Sequence, residues 1–163
     1  MNRITKIFLL ALGVSGALSL AYAQKGMMKA PEMMKPPEFQ TMTVSKYSFD
    51  DTVELLKGAM EEQNLMVIKE IDAQKMLRMV KVKTKGMKQV LFFHPRFMKR
   101  IMEINKHATI EPPLKIAVME RPDGRVMVKY IKPSYLFGRY DGLGEIGGEL
   151  EALVVKIVES TQK

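Results

Sequence analysis

Residues 88–94 read KQVLFFH, and the residue that follows is Pro95. A strand that is apolar on both faces is covered on both, so it belongs inside a sheet with a neighbour on either side. Proline fixes φ and has no N–H to donate, which suits the first position of a helix. The stretch therefore predicts a central strand running straight into the helix PRFMKRIMEINK, with His94 as its cap. Along that helix Phe97, Ile101 and Ile104 turn inward at helical spacing, with Met98 and Met102 beside them. A chain built on this unit needs both a sheet and helices to cover it.

The remaining pattern supplies partners for that unit. TVSKYS (43–48) alternates as a strand does. In SFDDTVELLKGAMEEQN, Ser48 and Asp51 make an acidic capping box, and Val53, Leu56, Ala59 and Met60 share one helical face. LMVIKEI (65–71) reads as a strand. Between Asp72 and Gly86 the reading stays open: AQKMLRMV fits a helical turn or two, and KVKTKG a strand end or a loop. EPP (111–113) breaks the chain. LKIAVME and RVMVKYI then form two strands joined through RPDG, whose Pro122, Asp123 and Gly124 carry turn chemistry. Ile146, Leu150, Leu153, Val154, Ile157 and Val158 mark an amphipathic closing helix. The order is strand, helix, strand, strand, helix, strand, strand, helix. It predicts an α+β domain: one mostly antiparallel sheet with helices packed on one face.

The N-terminus has a different character. Arg3 and Lys6 precede the apolar run IFLLALGVSGALSL (7–20), and Ala21 and Ala23 offer small side chains before Gln24. This pattern predicts a signal peptide over residues 1–23. An uncleaved anchor fits less well, because a spanning helix needs about 20 apolar residues. Export is the implied destination, periplasmic in a Gram-negative bacterium and secreted otherwise. Residues 24–42 hold Pro31, Pro36 and Pro37 without apolar periodicity and are expected to form a flexible tether rich in Met, Pro and Lys; the domain is expected over 43–163. No later run is apolar enough to cross a bilayer. The chain has no cysteine, so its core must hold it together without disulfides, and thiol catalysis, thiolate zinc sites and iron–sulfur clusters are excluded.

Net charge is +8, and +6 without Arg3 and Lys6 of the first segment. Basic proteins are often nucleic-acid binders. Export argues against that here and points instead to lipid head groups, wall polymers, small anions or an acidic partner.

The run LFFHPRFMKRIMEINKHATIEPPLKIAVMERPDGRVMVKYIKP resembles the family described as domain of unknown function 302. The resemblance rests on His94-Pro95, Pro112-Pro113, Gly124 and Lys132-Pro133 in that order and spacing, and on SKYSFDDTVELLKGAMEEQNLMVIKEID upstream. It covers roughly residues 43–135 and implies a compact α+β fold with a single antiparallel sheet. It implies no activity, because the family has no agreed one. The position before Pro95 is commonly asparagine in that family and is His94 here. Where relatives often carry cysteine, this chain has Phe93 and Leu114, so thiol chemistry does not carry over.

Three sets of residues are candidates for function. Met27, Met28, Met33 and Met34, with Met42 nearby, are thioethers on the expected tether and suit Cu(I) or Ag(I). Methionine is abundant throughout, however, and the domain's own methionines are expected mostly at core-facing positions as adaptable hydrophobes. His94 stands at a helix start, where it either caps amides or faces a ligand. His107 lies four residues after Glu103, on the same face if the helix continues; two histidines so spaced make no recognised metal site, and the simpler reading is a cap and a solvated helix end. Finally, residues 75–106 hold Lys75, Arg78, Lys81, Lys83, Lys85, Lys88, Arg96, Lys99, Arg100 and Lys106 against one acid, Glu103. Arg96, Lys99 and Arg100 with His94 would meet an anion at the helix N-terminus, and the alternative is a solvated basic face. GLGEIG (142–147) matches a dinucleotide fingerprint in letters only, since no second parallel strand follows it. No hydrolase motif is present.

The leading expectation is an exported, non-enzymatic binding domain for a small or anionic ligand around His94, with no resident cofactor. Soft-metal handling by the tether methionines is the first alternative, and an extracytoplasmic enzyme is the second. Pairing of two copies as a homodimer is left open.

Overall fold

The computed structural model describes residues 36–163. Five strands, β1 (Gln40–Val44), β2 (Met66–Asp72), β3 (Met87–Phe93), β4 (Leu114–Glu120) and β5 (Val126–Ile131), form one sheet in the order β1-β5-β4-β3-β2. Every neighbouring pair is antiparallel. The helices are α1 (Phe49–Glu62), α2 (Ala73–Met79), α3 (Pro95–Ile104), α4 (Pro133–Gly138) and α5 (Gly144–Glu159), with a 3-10 turn at Lys106–Ile110. The α+β class and the single antiparallel sheet agree with the sequence, and KQVLFFH is an interior strand.

Alternation along the strands decides where the core lies. Val90 and Phe92, Ile116 and Val118, and Val126, Val128 and Tyr130 face one side of the sheet. Val53, Leu56 and Met60 from α1, Phe97 and Ile101 from α3, and Ile146, Leu150, Val154 and Ile157 from α5 join them in one buried cluster. Each large side chain fully buried there contributes roughly 1.5–3 kcal/mol relative to its exposed state. The opposite face carries Met42 and Val44, Met127 and Lys129, Ala117 and Met119, and Met87, Gln89 and Leu91, none of which belongs to that cluster.

Local signals set the helix ends. Ser48 accepts from the Asp51 N–H at the start of α1, the N-cap half of the capping box expected from the sequence, while the Asp51 carboxylate accepts from the Ser48 hydroxyl. At its far end Asn64 adopts φ 54°, and Leu65 N and Asn64 N bond back to the carbonyls of Met60 and Glu61. This is the paired closure of a left-handed helix stop, with Leu65 buried behind it. α2 ends in the same way: Lys81 has φ 63°, Val82 N reaches Leu77 O, and Lys81 N reaches Arg78 O. A lysine occupies a position that glycine fills at less steric cost.

The two ends of the domain are fastened to each other. Ser45 Oγ lies 2.7 Å from Thr52 Oγ1, and Lys46 N donates to Thr161 O at 3.0 Å. Gln162 Nε2 donates to Val44 O at 2.9 Å, and Tyr47 OH to Lys163 O at 3.1 Å. Ser45, Thr52 and Thr161 are buried polar residues; Ser45 and Thr52 bond each other, and Thr161 Oγ1 donates to Val158 O.

Several elements differ from the expectation. The first strand runs over Gln40–Val44, beginning before the expected tether boundary and stopping at Val44 rather than continuing to Ser48. Ser45 N still donates to Val126 O on β5 at 2.8 Å, but Lys46 N turns to Thr161 O and Ser48 caps α1, so the ladder ends there. Residues 1–35, which hold the expected signal peptide, most of the tether and Met27, Met28, Met33 and Met34, lie outside the described residues. The open stretch after Asp72 resolves into helix α2. Pro133 starts the short helix α4, so a helix precedes GLGEIG where a strand was expected.

Candidate functional site

His94 sits where β3 ends and α3 begins, with φ −140° and ψ 137°, and its Nδ1 accepts the Arg96 N–H at 3.1 Å. Pro95 has no N–H, and Phe97 N reaches the His94 carbonyl at 3.0 Å, so the free donors of the first turn are largely met by this one residue. His94 is therefore the cap that the sequence suggests. Arg96 and Arg100 lie over the buried Phe97 ring, at 4.8 and 5.8 Å from its centre. Arg100 Nη1 also bonds Glu149 Oε2 on α5 at 2.5 Å, and Lys99 lies 3.9 Å from Glu103. The helix brings His94, Arg96, Lys99 and Arg100 together as expected. It spends them on capping, on covering an aromatic ring and on ion pairs.

α3 stops at Ile104, and Asn105 turns to φ −150° before the 3-10 turn, so His107 does not continue the helical face of Glu103. Among the described residues no three acidic or histidine side chains gather as a metal site. Two surface grooves, of about 510 and 530 Å³, lie elsewhere. One is lined by Ser134, Glu151, Lys156 and Glu159, the other by Tyr47, Asp51, Glu54 and Glu62. Both carry more carboxylates than cations, the wrong sign for an anion.

Tyr130 has its phenol raised chiefly by burial, and the other groups with displaced pKa values are held in pairs. The Lys88 ammonium, 2.8 Å from Glu70, keeps that carboxylate below its usual range, and Glu70 in turn raises Lys88. Lys57 is raised by Glu54 and bridges to Glu70 as well. Asp123 is lowered by its bonds from Arg125 across the β4–β5 turn. Tyr140 donates to Glu111 at 2.6 Å, which raises its phenol, while Arg139 bonds the same carboxylate. Glu70 ties α1, β2 and β3 through Lys57 and Lys88, and Glu111 ties its segment to Arg139 and Tyr140, whereas the Asp123–Arg125 pair is local to its turn.

The basic run divides into two parts. Lys88, Arg96, Lys99 and Arg100 are engaged as described. Residues 73–85, AQKMLRMVKVKTK, contain Lys75, Arg78, Lys81, Lys83 and Lys85 and no acid. α2 contributes no buried side chain to the domain. Within this arm Met76, Met79, Val80 and Val82 are 59, 81, 68 and 44% exposed. Of the five cations one, Lys85, lies near an acid, 3.8 Å from Glu120.

The domain's methionines depart from the expected core positions. Met60 joins the core, whereas Met66, Met76, Met79 and Met102 are exposed. Met87, Met119 and Met127 stand directly opposite one another on β3, β4 and β5, on the face away from the core. Met127 is 3% exposed yet lies outside the core cluster. The sequence shows these methionines, but the register that aligns them exists only in the folded sheet.

A family model described as "Domain of unknown function DUF302" matches residues 40–161. A solved structure, described as an uncharacterized conserved protein DUF302 from Bacillus stearothermophilus, superposes with a TM-score of 0.71 at 17% identity. The match covers 77% of this chain and 99% of that one. At that identity the likeness shows the fold alone. No curated protein matches the chain.

Proposed function

The chain belongs to the DUF302 family, and from that premise we propose that it is an exported, non-enzymatic binding domain whose partner is anionic and is met at residues 73–85 rather than at His94. One observation carries the reading: five cations and no acid on a segment with no fully buried side chain, while Arg100 of α3 is paired with Glu149. A surface helix with no fully buried side chain and charge of one sign is open to a partner outside the domain. The non-enzymatic part is supported by the causes of the displaced pKa values: those of Glu70, Lys88, Lys57, Asp123 and Tyr140 follow from paired surface groups, and that of Tyr130 from burial in the core.

The test is binding to long-chain inorganic polyphosphate, a soluble polyanion, over a range of salt. Removing Lys75, Arg78 and Lys83 as glutamines should weaken binding and flatten its salt dependence. Retained affinity with an unchanged salt slope would refute the assignment to the arm.

A second reading, soft-metal handling, is favoured by the row Met87–Met119–Met127. Side chains directly opposite on adjacent strands have Cβ atoms about 4.5–5.5 Å apart, within reach of one soft ion for flexible thioethers. Lys129 and Lys115 share that face, and their charge opposes a cation, which makes this reading subordinate. Anaerobic Cu(I) titration against a competing chelator, for the chain from Gln24 and for one from Thr43, separates the tether methionines from the row. The shorter chain cuts into β1, so its fold is checked first by circular dichroism.

A further inference from the structure

Met76 and Met79 fall at i and i+3 of α2, with Val80 following as its C-terminal cap, and all three are exposed to solvent. Lys75 and Arg78 belong to the same helix, and Lys83 and Lys85 follow the left-handed stop at Lys81. From this arrangement we infer that the arm of residues 73–85 docks on an anionic lipid bilayer. Met76, Met79 and Val80 enter the boundary between head groups and acyl chains, and the five cations meet lipid phosphates. The inference rests on the anionic reading above and names its partner.

Two features select a bilayer over other anionic partners. A soluble polyanion satisfies the cations but offers nothing to three exposed apolar side chains. A bilayer interface offers both, as it does for amphipathic helices with a basic face. A second copy of the chain is opposed by charge, because pairing two arms would bring ten cations together with no acid between them. The arm connects the edge strand β2 to β3, at one end of the sheet order. The helix is short, and the left-handed stop at Lys81 holds Val82 N against Leu77 O at its end.

The experiment is co-sedimentation of the chain from Gln24 with vesicles of phosphatidylcholine alone and of phosphatidylcholine with one part in three phosphatidylglycerol. Two variants accompany it, Met76→Ser/Met79→Ser/Val80→Ser and Lys75→Gln/Arg78→Gln/Lys83→Gln. Neither touches a buried residue, so both should unfold at the parent's temperature. Binding is expected to anionic vesicles only. Each basic side chain near an anionic surface multiplies partitioning about fivefold, so the charge variant should lose about two orders of magnitude. The apolar variant should lose about tenfold or more on vesicles while keeping its affinity for polyphosphate. Polyphosphate binding without vesicle binding would overturn the bilayer and leave the anionic reading standing; loss of both would end both. Vesicle binding that neither variant weakens would overturn the inference, as would self-association that the apolar variant abolishes in the absence of vesicle binding.

Discussion

His94 is the residue at which capping and ligand binding make opposite predictions. Its Nδ1 accepts one amide, Arg96 N at 3.1 Å, at a half-buried helix start. Replacing His94 with alanine leaves that N–H without a protein partner and only partly open to water. Substitution of a good cap by alanine typically costs about 1 kcal/mol, in a range of roughly 0.5–2. Spread over a domain of this size, about 1 kcal/mol lowers the midpoint of thermal unfolding by roughly 3–5 °C. Asparagine is a better cap than alanine by nearly the same amount and should restore the loss. Aspartate should do so and add about 0.3–1 kcal/mol, because a negative charge at a helix N-terminus opposes the positive end of the dipole. The assay is thermal unfolding by circular dichroism for His94→Ala, His94→Asn and His94→Asp, with vesicle and polyphosphate binding measured in parallel. The ordering Asp ≥ Asn ≈ His > Ala, with binding unchanged throughout, is the expected result. If His94→Asn is as unstable as His94→Ala, the cap does not carry the effect. If His94→Ala stays stable and loses binding, the residue is a ligand contact and the arm is the wrong surface.

Three further measurements follow from the packing. Gly147 on α5 lies against α4 so closely that an added Cβ would stand 3.1 Å from Pro133 O and the Ser134 Cα, whereas Gly148 has open space. Gly147→Ala should destabilise by about 1–3 kcal/mol, and Gly148→Ala should stabilise by roughly 0.5–1 kcal/mol; denaturant midpoints that move together would refute the close approach. Glu70→Gln removes the shared acceptor of Lys88 and Lys57 and should cost about 1 kcal/mol at neutral pH. Because the fold lowers the Glu70 pKa, its contribution is fully present above the ordinary carboxylate value of 4.5 and is lost as pH falls through the folded value. The variant should therefore converge with the parent in stability at low pH, and a gap that persists in acid would show the pair to be irrelevant. Lys81→Gly relieves a left-handed non-glycine residue and should raise the unfolding midpoint slightly, with any loss of vesicle affinity limited to about the fivefold owed to one charge.

What could be read from the chain depended on how much each segment buries. β3 announced itself because both its faces are apolar, and Pro95 marked the helix start beside it. The same argument applied to Pro133 would have found α4, since that proline also holds a first helical position; the run IKP hid it by reading as a strand end. β1 was placed too late because its core-side positions are Thr41 and Thr43, which give weak alternation, and because the prolines ahead of it suggested a longer tether. α2 stayed ambiguous for a physical reason: helical periodicity is legible when one face seeks the core, and here the apolar face points outward. Composition alone assigned the methionines to packing. It could not show which of them the register would align on the far face of the sheet.

The fastening between the two ends of the domain has a consequence for how the molecule comes into being. β1 has one strand partner, β5, and the corner after it is held by Thr161, Gln162 and Lys163, with Ser45 and Thr161 separated by 116 residues in sequence. A chain delivered N-terminus first cannot complete that edge until its last residues arrive. Pairings between distant segments make folding slow relative to local ones. The β3–α3 unit and the β4–β5 hairpin, built from neighbouring segments, can therefore form before the edge at β1 is locked.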